Sequence, residues 1–117
     1  VLIVPPEQIP TVRAYVEAQN PQGFYPVQSD AFYLELVPQG ISKGRGMRMI
    51  QQALGLTKTA AIGDREHDTP MLELAEFSAV PKSGDPDLQK EVDFIVDSCE
   101  NGAVADFICR LEQICTQ

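Results

Sequence analysis

Two carboxylates four residues apart, reached from an apolar run, carry the chemistry open to this chain. In Thr59-Ala-Ala-Ile-Gly-Asp-Arg-Glu-His-Asp-Thr-Pro-Met-Leu72 the apolar stretch ends at Gly63-Asp64, Asp68 follows, and a helical pattern begins. A buried parallel strand would deliver both carboxylates to its C-terminal end, the edge where open α/β sheets bind ligands. Oxygen ligands there suit a hard cation such as Mg²⁺, with a phosphate nearby. Upstream, Ile41-Ser-Lys-Gly-Arg-Gly46 sets Lys43 just before another predicted helix.

Each of these residues also has a plainer use. Asp64 can end the strand or cap the following helix. Asp68 precedes Thr69-Pro70 and suits a helix cap even better, with proline at an early helical position. Lys43 can be a solvated lysine at a helix start. His67 has the character of a partly exposed loop residue more than of a catalytic base, and Arg65 and Glu66 of surface loop residues.

Alternating elements must position this site. Leu2–Val4 has the pattern of a short strand ended by Pro5 and Pro6. A helix follows with Ile9, Val12 and Val16 near helical spacing, and Pro10 fits its first turn. Residues 20–23 form a turn or loop cluster. Residues 24–29 and 31–37 are two predicted strands joined at Ser29-Asp30 as an antiparallel hairpin. In the second, Phe32, Leu34 and Leu36 alternate with a more polar Tyr33, Glu35 and Val37. From Lys43 the pattern changes. A helix over 44–55, with Met47, Ile50 and Leu54 at helical intervals and a stop near Gly55, leads to a strand over 59–63 and a helix over 68–75. Then come a strand over 77–80, a short helix over 85–90, a strand over 93–97, and a helix over 102–115. That last helix would bury Val104, Phe107, Ile108, Leu111 and Ile114 or Cys115. Strands alternating with helices imply right-handed crossovers and a parallel sheet.

Composition narrows the function classes. The 117 residues are 44% hydrophobic and 22% charged, ordinary for a globular chain with a real core. Residues 1–58 hold five Lys/Arg and four Asp/Glu; residues 59–117 hold four and thirteen. An acidic second half argues against nucleic acid, whose binding needs phosphate-neutralising cations. No apolar run approaches a membrane span. Cys99, Cys109 and Cys115 lack metal or redox spacing. Cys109 and Cys115 fall in a helical pattern where free cysteine acts as a small apolar residue. Reduced thiols suit a cytoplasmic protein.

Ser42-Lys-Gly44, then Gly63-Asp-x-x-x-Asp68-x-x-Met-Leu72, with the later Val80-Pro-Lys-Ser-Gly84, Asp93-Phe-Ile-Val96 and Asn101-Gly-Ala-Val104, resembles the C-terminal part of a Cof-type phosphatase of the haloacid dehalogenase (HAD) superfamily. The resemblance implies an α/β fold: a partial Rossmann-like HAD core with a parallel sheet over residues 39–117, preceded over residues 1–38 by a β-α-β-β remnant of an α/β cap. It implies Mg²⁺ as cofactor and a small phosphorylated substrate. It also implies three catalytic positions: Lys43 steadying phosphate and nucleophile, Asp64 binding the metal, and Asp68 supporting the metal or its waters. His67 stands where the family usually has Asn and would take its phosphate-binding role through a ring N–H. Arg65 replaces a residue that is usually small.

The family's chemistry starts at an Asp-x-Asp on the first core strand, and none precedes Lys43; Asp85-Pro-Asp87 is the chain's one such motif. The chain is therefore expected to be the C-terminal part of a longer enzyme and inactive alone. Its uncovered sheet edges would favour self-association. The competing expectation is a non-catalytic module that uses the hairpin at 24–37 for self-association or partner binding. A phospho-acceptor receiver domain is excluded because its acceptor aspartate would come before its lysine.

Overall fold

Prolines and glycines punctuate the chain into two three-stranded sheets. The computed structural model describes residues 1–19 and 22–117, so part of the predicted turn cluster at 20–23 lies outside the described residues. Strand β1 (Leu2–Ile3) runs into Pro5, and a 3-10 turn at Pro6–Gln8 leads into helix α1 (Ile9–Ala18), with Pro10 in its first turn as expected. Strands β2 (Phe24–Asp30) and β3 (Tyr33–Pro38) form the hairpin, and β1 pairs antiparallel with the other side of β3. The hairpin turns at Ala31-Phe32, not at Ser29-Asp30. The register shifts between Gln28 and Asp30, and this irregularity lets β2 run past the expected turn.

Period-2 alternation assigns the faces of β3, but not their burial. Leu34 is fully buried, in a small core with Val4, Ile9 and, at its margin, Val12. Phe32 and Leu36, expected beside it, are exposed. This core is built from α1 and the segment between β1 and α1, and Leu34 is the β3 residue it encloses.

The second sheet is parallel, in the order β4 (Ala60–Ile62), β5 (Phe77–Pro81), β6 (Phe94–Val96). Helices α2 (Lys43–Leu54), α3 (Thr69–Leu74) and α4 (Ala103–Cys115) alternate with its strands. The α/β class with a parallel sheet is thus as expected. Ser42 caps α2 by accepting the Arg45 N–H at 3.1 Å, and Gly55 ends it at φ 65°, a left-handed conformation that glycine adopts without penalty. The helix expected over 85–90 contracts to a 3-10 turn at Leu88–Lys90.

Each face of this sheet has its own core. Ala61, Leu72, Val80 and Leu88 pack on one side with Met47; Ala79, Val96, Ala103 and Phe107 pack on the other, with Phe94 and Leu111 at the margin. The helix faces are narrower than periodicity suggests. On α2 Met47 faces the core, but Ile50 and Leu54 are 56% and 68% exposed. On α4 Val104, Ile108, Ile114 and Cys115 are exposed. A three-stranded sheet offers each helix only a narrow strip, so the outer flanks of these apolar stripes find no cover. All three cysteines are exposed, so Cys115 does not take the buried position offered for it or Ile114. Among the described residues, no helix is long and apolar enough to cross a membrane.

Candidate functional site

The site is assembled by one loop folding back on a single carboxylate. Strand β4 ends at Ile62, and the Gly63 N–H still bonds the Ala79 carbonyl at 3.1 Å, holding the loop's start in the sheet. The chain then turns through Asp64 and Arg65 into a 3-10 turn at Glu66–Asp68. The Asp68 side chain points back into this turn. Its Oδ2 accepts the backbone N–H groups of Asp64 at 2.9 Å and Arg65 at 3.2 Å, and its Oδ1 accepts a hydrogen bond from Lys43 Nζ. Gly63 makes the fold-back feasible, because a Cβ there would collide with the Asp68 side chain.

Lys43 reaches this carboxylate because α2 and α3 meet almost without side chains between them. Gly44 is buried, and a Cβ on it would run into the Pro70 backbone carbonyl. The Gly44-Pro70 contact therefore brings the first turn of α2 against the first turn of α3, one residue from Lys43 and two from Asp68. A second loop joins through the Asp85 N–H, which donates to the Asp64 carbonyl at 2.9 Å.

Asp68 is 3% exposed. Burial alone would raise its pKa. The Lys43 hydrogen bond, the two backbone N–H groups and the nearby His67 outweigh burial, and the carboxyl lies below the usual carboxylate range. Asp68 is the N-cap residue of α3 but makes no side-chain cap there; its oxygens serve the loop and Lys43 instead. Asp64 gives the network its backbone N–H and carbonyl. Its half-buried carboxylate takes part in none of the ion pairs among the described residues. His67 Nε2 lies 3.6 Å from Asp68 Oδ1, and its Nδ1 is buried with no hydrogen-bond partner. Lys43, Asp68, His67 and the Asp64 backbone are thus brought together as one cluster.

As a cation site the cluster is partial. Mg²⁺ is held by one or two carboxylates with water and substrate phosphate completing its shell. Asp64 offers one such carboxylate. Both oxygens of Asp68 already accept hydrogen bonds, and no group of three metal-binding side chains forms among the described residues. The donor chemistry fits a hard cation, with the remaining ligands supplied from elsewhere.

A cleft of about 520 Å³ opens beside the cluster. Tyr25, Val27, Glu35 and Val37 of the first sheet line one side, and Lys43 and His67 lie on the other. The Tyr25 hydroxyl donates to the Ile41 carbonyl at 2.7 Å, tying the hairpin to the segment that leads into Lys43.

Glu66 is a partly exposed loop residue, its side chain 44% exposed, and it is also tied across the fold. Its Oε1 and Oε2 accept from Arg13 Nη1 and Nη2 at 3.1 and 2.6 Å, and Oε2 also accepts the Gln28 N–H at 3.0 Å. Arg13 lies 53 residues away, so no local pattern announces the pair.

Residues 1–108 match the family model described as haloacid dehalogenase-like hydrolase. A protein of Streptococcus pyogenes serotype M6, provisionally named a phosphatase, is 38% identical over 96 residues, covering 77% of this chain and 36% of that one. A phosphoglycolate phosphatase of Methanothrix thermoacetophila is 32% identical over 79 residues, covering 66% of this chain and 36% of that one. A solved structure from Streptococcus mutans superposes with a TM-score of 0.84 at 19% identity, over 94% of this chain and 42% of that one. The chain thus spans little more than a third of these curated relatives and under half of the solved structure.

Proposed function

Because the chain belongs to the haloacid dehalogenase-like hydrolases, we propose that it is the C-terminal part of a Cof-type, Mg²⁺-dependent phosphatase of a small phosphorylated metabolite. The observation that carries this reading is the cluster of Lys43, Asp64 and Asp68 at the C-terminal end of parallel strand β4. Lys43 draws the phosphate and offsets the charge that grows on its oxygens. Asp68 positions Lys43 and cinches the loop. Asp64 turns a carboxylate to the metal, which when bound screens phosphate from carboxylates and polarises the phosphoryl group. His67 donates a ring N–H to a phosphate oxygen. The cleft beside them takes the body of the substrate.

The attacking carboxylate comes from outside these 117 residues, since no Asp-x-Asp precedes Lys43. It attacks phosphorus as the phosphorus–oxygen ester bond breaks, the departing oxygen takes its proton from water, and a second water cleaves the aspartyl-phosphate to release inorganic phosphate and restore the carboxylate. The setting is cytoplasmic. The test is phosphate release from 4-nitrophenyl phosphate with Mg²⁺, by the longest natural polypeptide that contains this chain. Lys43→Ala and Asp64→Ala should each lower turnover by roughly 10²–10³, the scale of losing one electrostatic contact to the transition state. His67→Asn should keep most of the activity, and the 117-residue segment alone should show none. Full turnover in both Lys43→Ala and Asp64→Ala would overturn the assignment.

A second reading is favoured by the exposed Ile50, Leu54, Val104 and Ile108 and by the outer edge of β4, unpaired among the described residues. On this reading the segment acts as a self-associating module. Light scattering across a dilution series of the segment decides it: a monomer at every concentration excludes self-association.

A further inference from the structure

The first sheet touches the candidate site through one compact set of polar contacts. Arg13 leaves α1 at its second turn, donates from Nη1 to the Pro26 carbonyl at 3.4 Å, and grips both carboxylate oxygens of Glu66. The Gln28 N–H on β2 adds a third donor to Glu66. Glu66 is the residue immediately before His67 and two before Asp68. The pair is fork to fork, the strongest geometry for arginine and carboxylate, and Arg13 is largely shielded from water. Glu66 also lines the cleft.

We propose that Arg13, Glu66 and the Gln28 amide form a latch that holds the first sheet across the mouth of the cleft and holds His67 in place. Glu66 is a positioning residue: its carboxylate is committed to Arg13 and Gln28 and acts by fixing the cleft wall. The inference rests on the phosphatase reading for its kinetic consequence alone; the latch itself has a readout independent of activity. A carboxylate at 66 ties the turn that carries Asp68 to α1 and β2 at once. Without it, the hydrogen bond that remains between this wall and the segment leading to Lys43, among the described residues, is that of Tyr25 to the Ile41 carbonyl. Bound substrate then loses its second wall, whereas the Lys43-Asp68 contact on the opposite side of the turn is untouched. Weaker binding with nearly intact turnover is the expected signature.

Glu66→Ala, Arg13→Ala and the double substitution are compared in the longest natural polypeptide containing this chain. KM for 4-nitrophenyl phosphate should rise roughly three- to tenfold in each single variant, the scale of a partly shielded ion pair, with kcat changed less than about twofold. The double variant should match Glu66→Ala, because both remove one interaction. Added salt should raise KM in both proteins through screening of Lys43, and more steeply in the wild type than in Glu66→Ala. By hydrogen exchange, the Gln28 amide should exchange faster in Glu66→Ala and Arg13→Ala, while amides in β5 stay protected. If the wild type shows no phosphatase activity, the functional reading fails and Gln28 exchange alone judges the latch. Unchanged Gln28 exchange overturns the latch. Faster exchange with unchanged KM overturns its role in binding.

Discussion

The two sheets make a contrast in how a wall and a platform are built. The parallel sheet has a core on each face, with Val80 and Val96 wholly shielded on opposite sides. The antiparallel sheet has one small core around Leu34, and its other face lines the cleft with Tyr25, Glu35 and Val37. The rigid sheet supplies Asp64 and the turn that fixes Asp68, where displacements of an ångström matter. The thinner sheet supplies surface, joined to the site by side-chain tethers. On the proposed function, chemistry falls to the element buried on two sides, and shape to the element buried on one.

The sharpest way to break this contrast is to charge the platform. Val80→Asp would bury a carboxylate with no partner in the central strand, a cost of several kcal/mol against a whole-domain stability of about 5–15 kcal/mol. A urea titration should show no cooperative transition from the parallel sheet. Leu34→Ala should cost about 2–5 kcal/mol, the usual range for a buried leucine. Its effect should stay local: amides in β2 and β3 lose protection from hydrogen exchange, and those in β5 keep theirs.

Acid should act on the junction next. Asp68 ionises at lower pH in the fold than in the unfolded chain. Its stabilisation is complete above the ordinary carboxylate value of roughly 3.9 and fades as pH falls through the folded value. Acid unfolding followed by circular dichroism should therefore be less steep in Asp68→Asn, which starts from a lower stability at neutral pH. The smallest effect belongs to Lys58-Glu76, a 3.1 Å pair beside β4 with both side chains well exposed. Lys58→Ala should shift stability by no more than about 1 kcal/mol. A larger loss would mean that this outer edge contributes more than its exposure suggests.

The site loop was legible because its meaning is local. An apolar run, a glycine and two aspartates four apart fit only a few geometries, and the helix expected over 44–55 forms one residue earlier, over Lys43–Leu54. The alternation of strands and helices was equally local, and it yielded the parallel sheet. Burial was not. Ile50, Leu54, Val104 and Ile108 lie at helical intervals, but periodicity cannot report how wide a surface waits opposite. The Arg13-Glu66 pair was invisible because it depends on two elements 53 residues apart docking side by side. Gly44 was noticed as part of a motif, while the Pro70 carbonyl that demands it comes from another helix.

Asp68 has a consequence for anion choice. It keeps Lys43 occupied, so the lysine is not a bare ammonium waiting in solvent. An arriving anion must compete with a resident carboxylate that is itself anchored by two amides. A singly charged, weakly coordinating ion such as chloride has little to offer in that exchange. A dianionic ester can share the ammonium with Asp68 and add contacts of its own at His67. If the phosphatase reading holds, the internal counter-ion would set a threshold that filters the salts of the surrounding solution before any shape is compared.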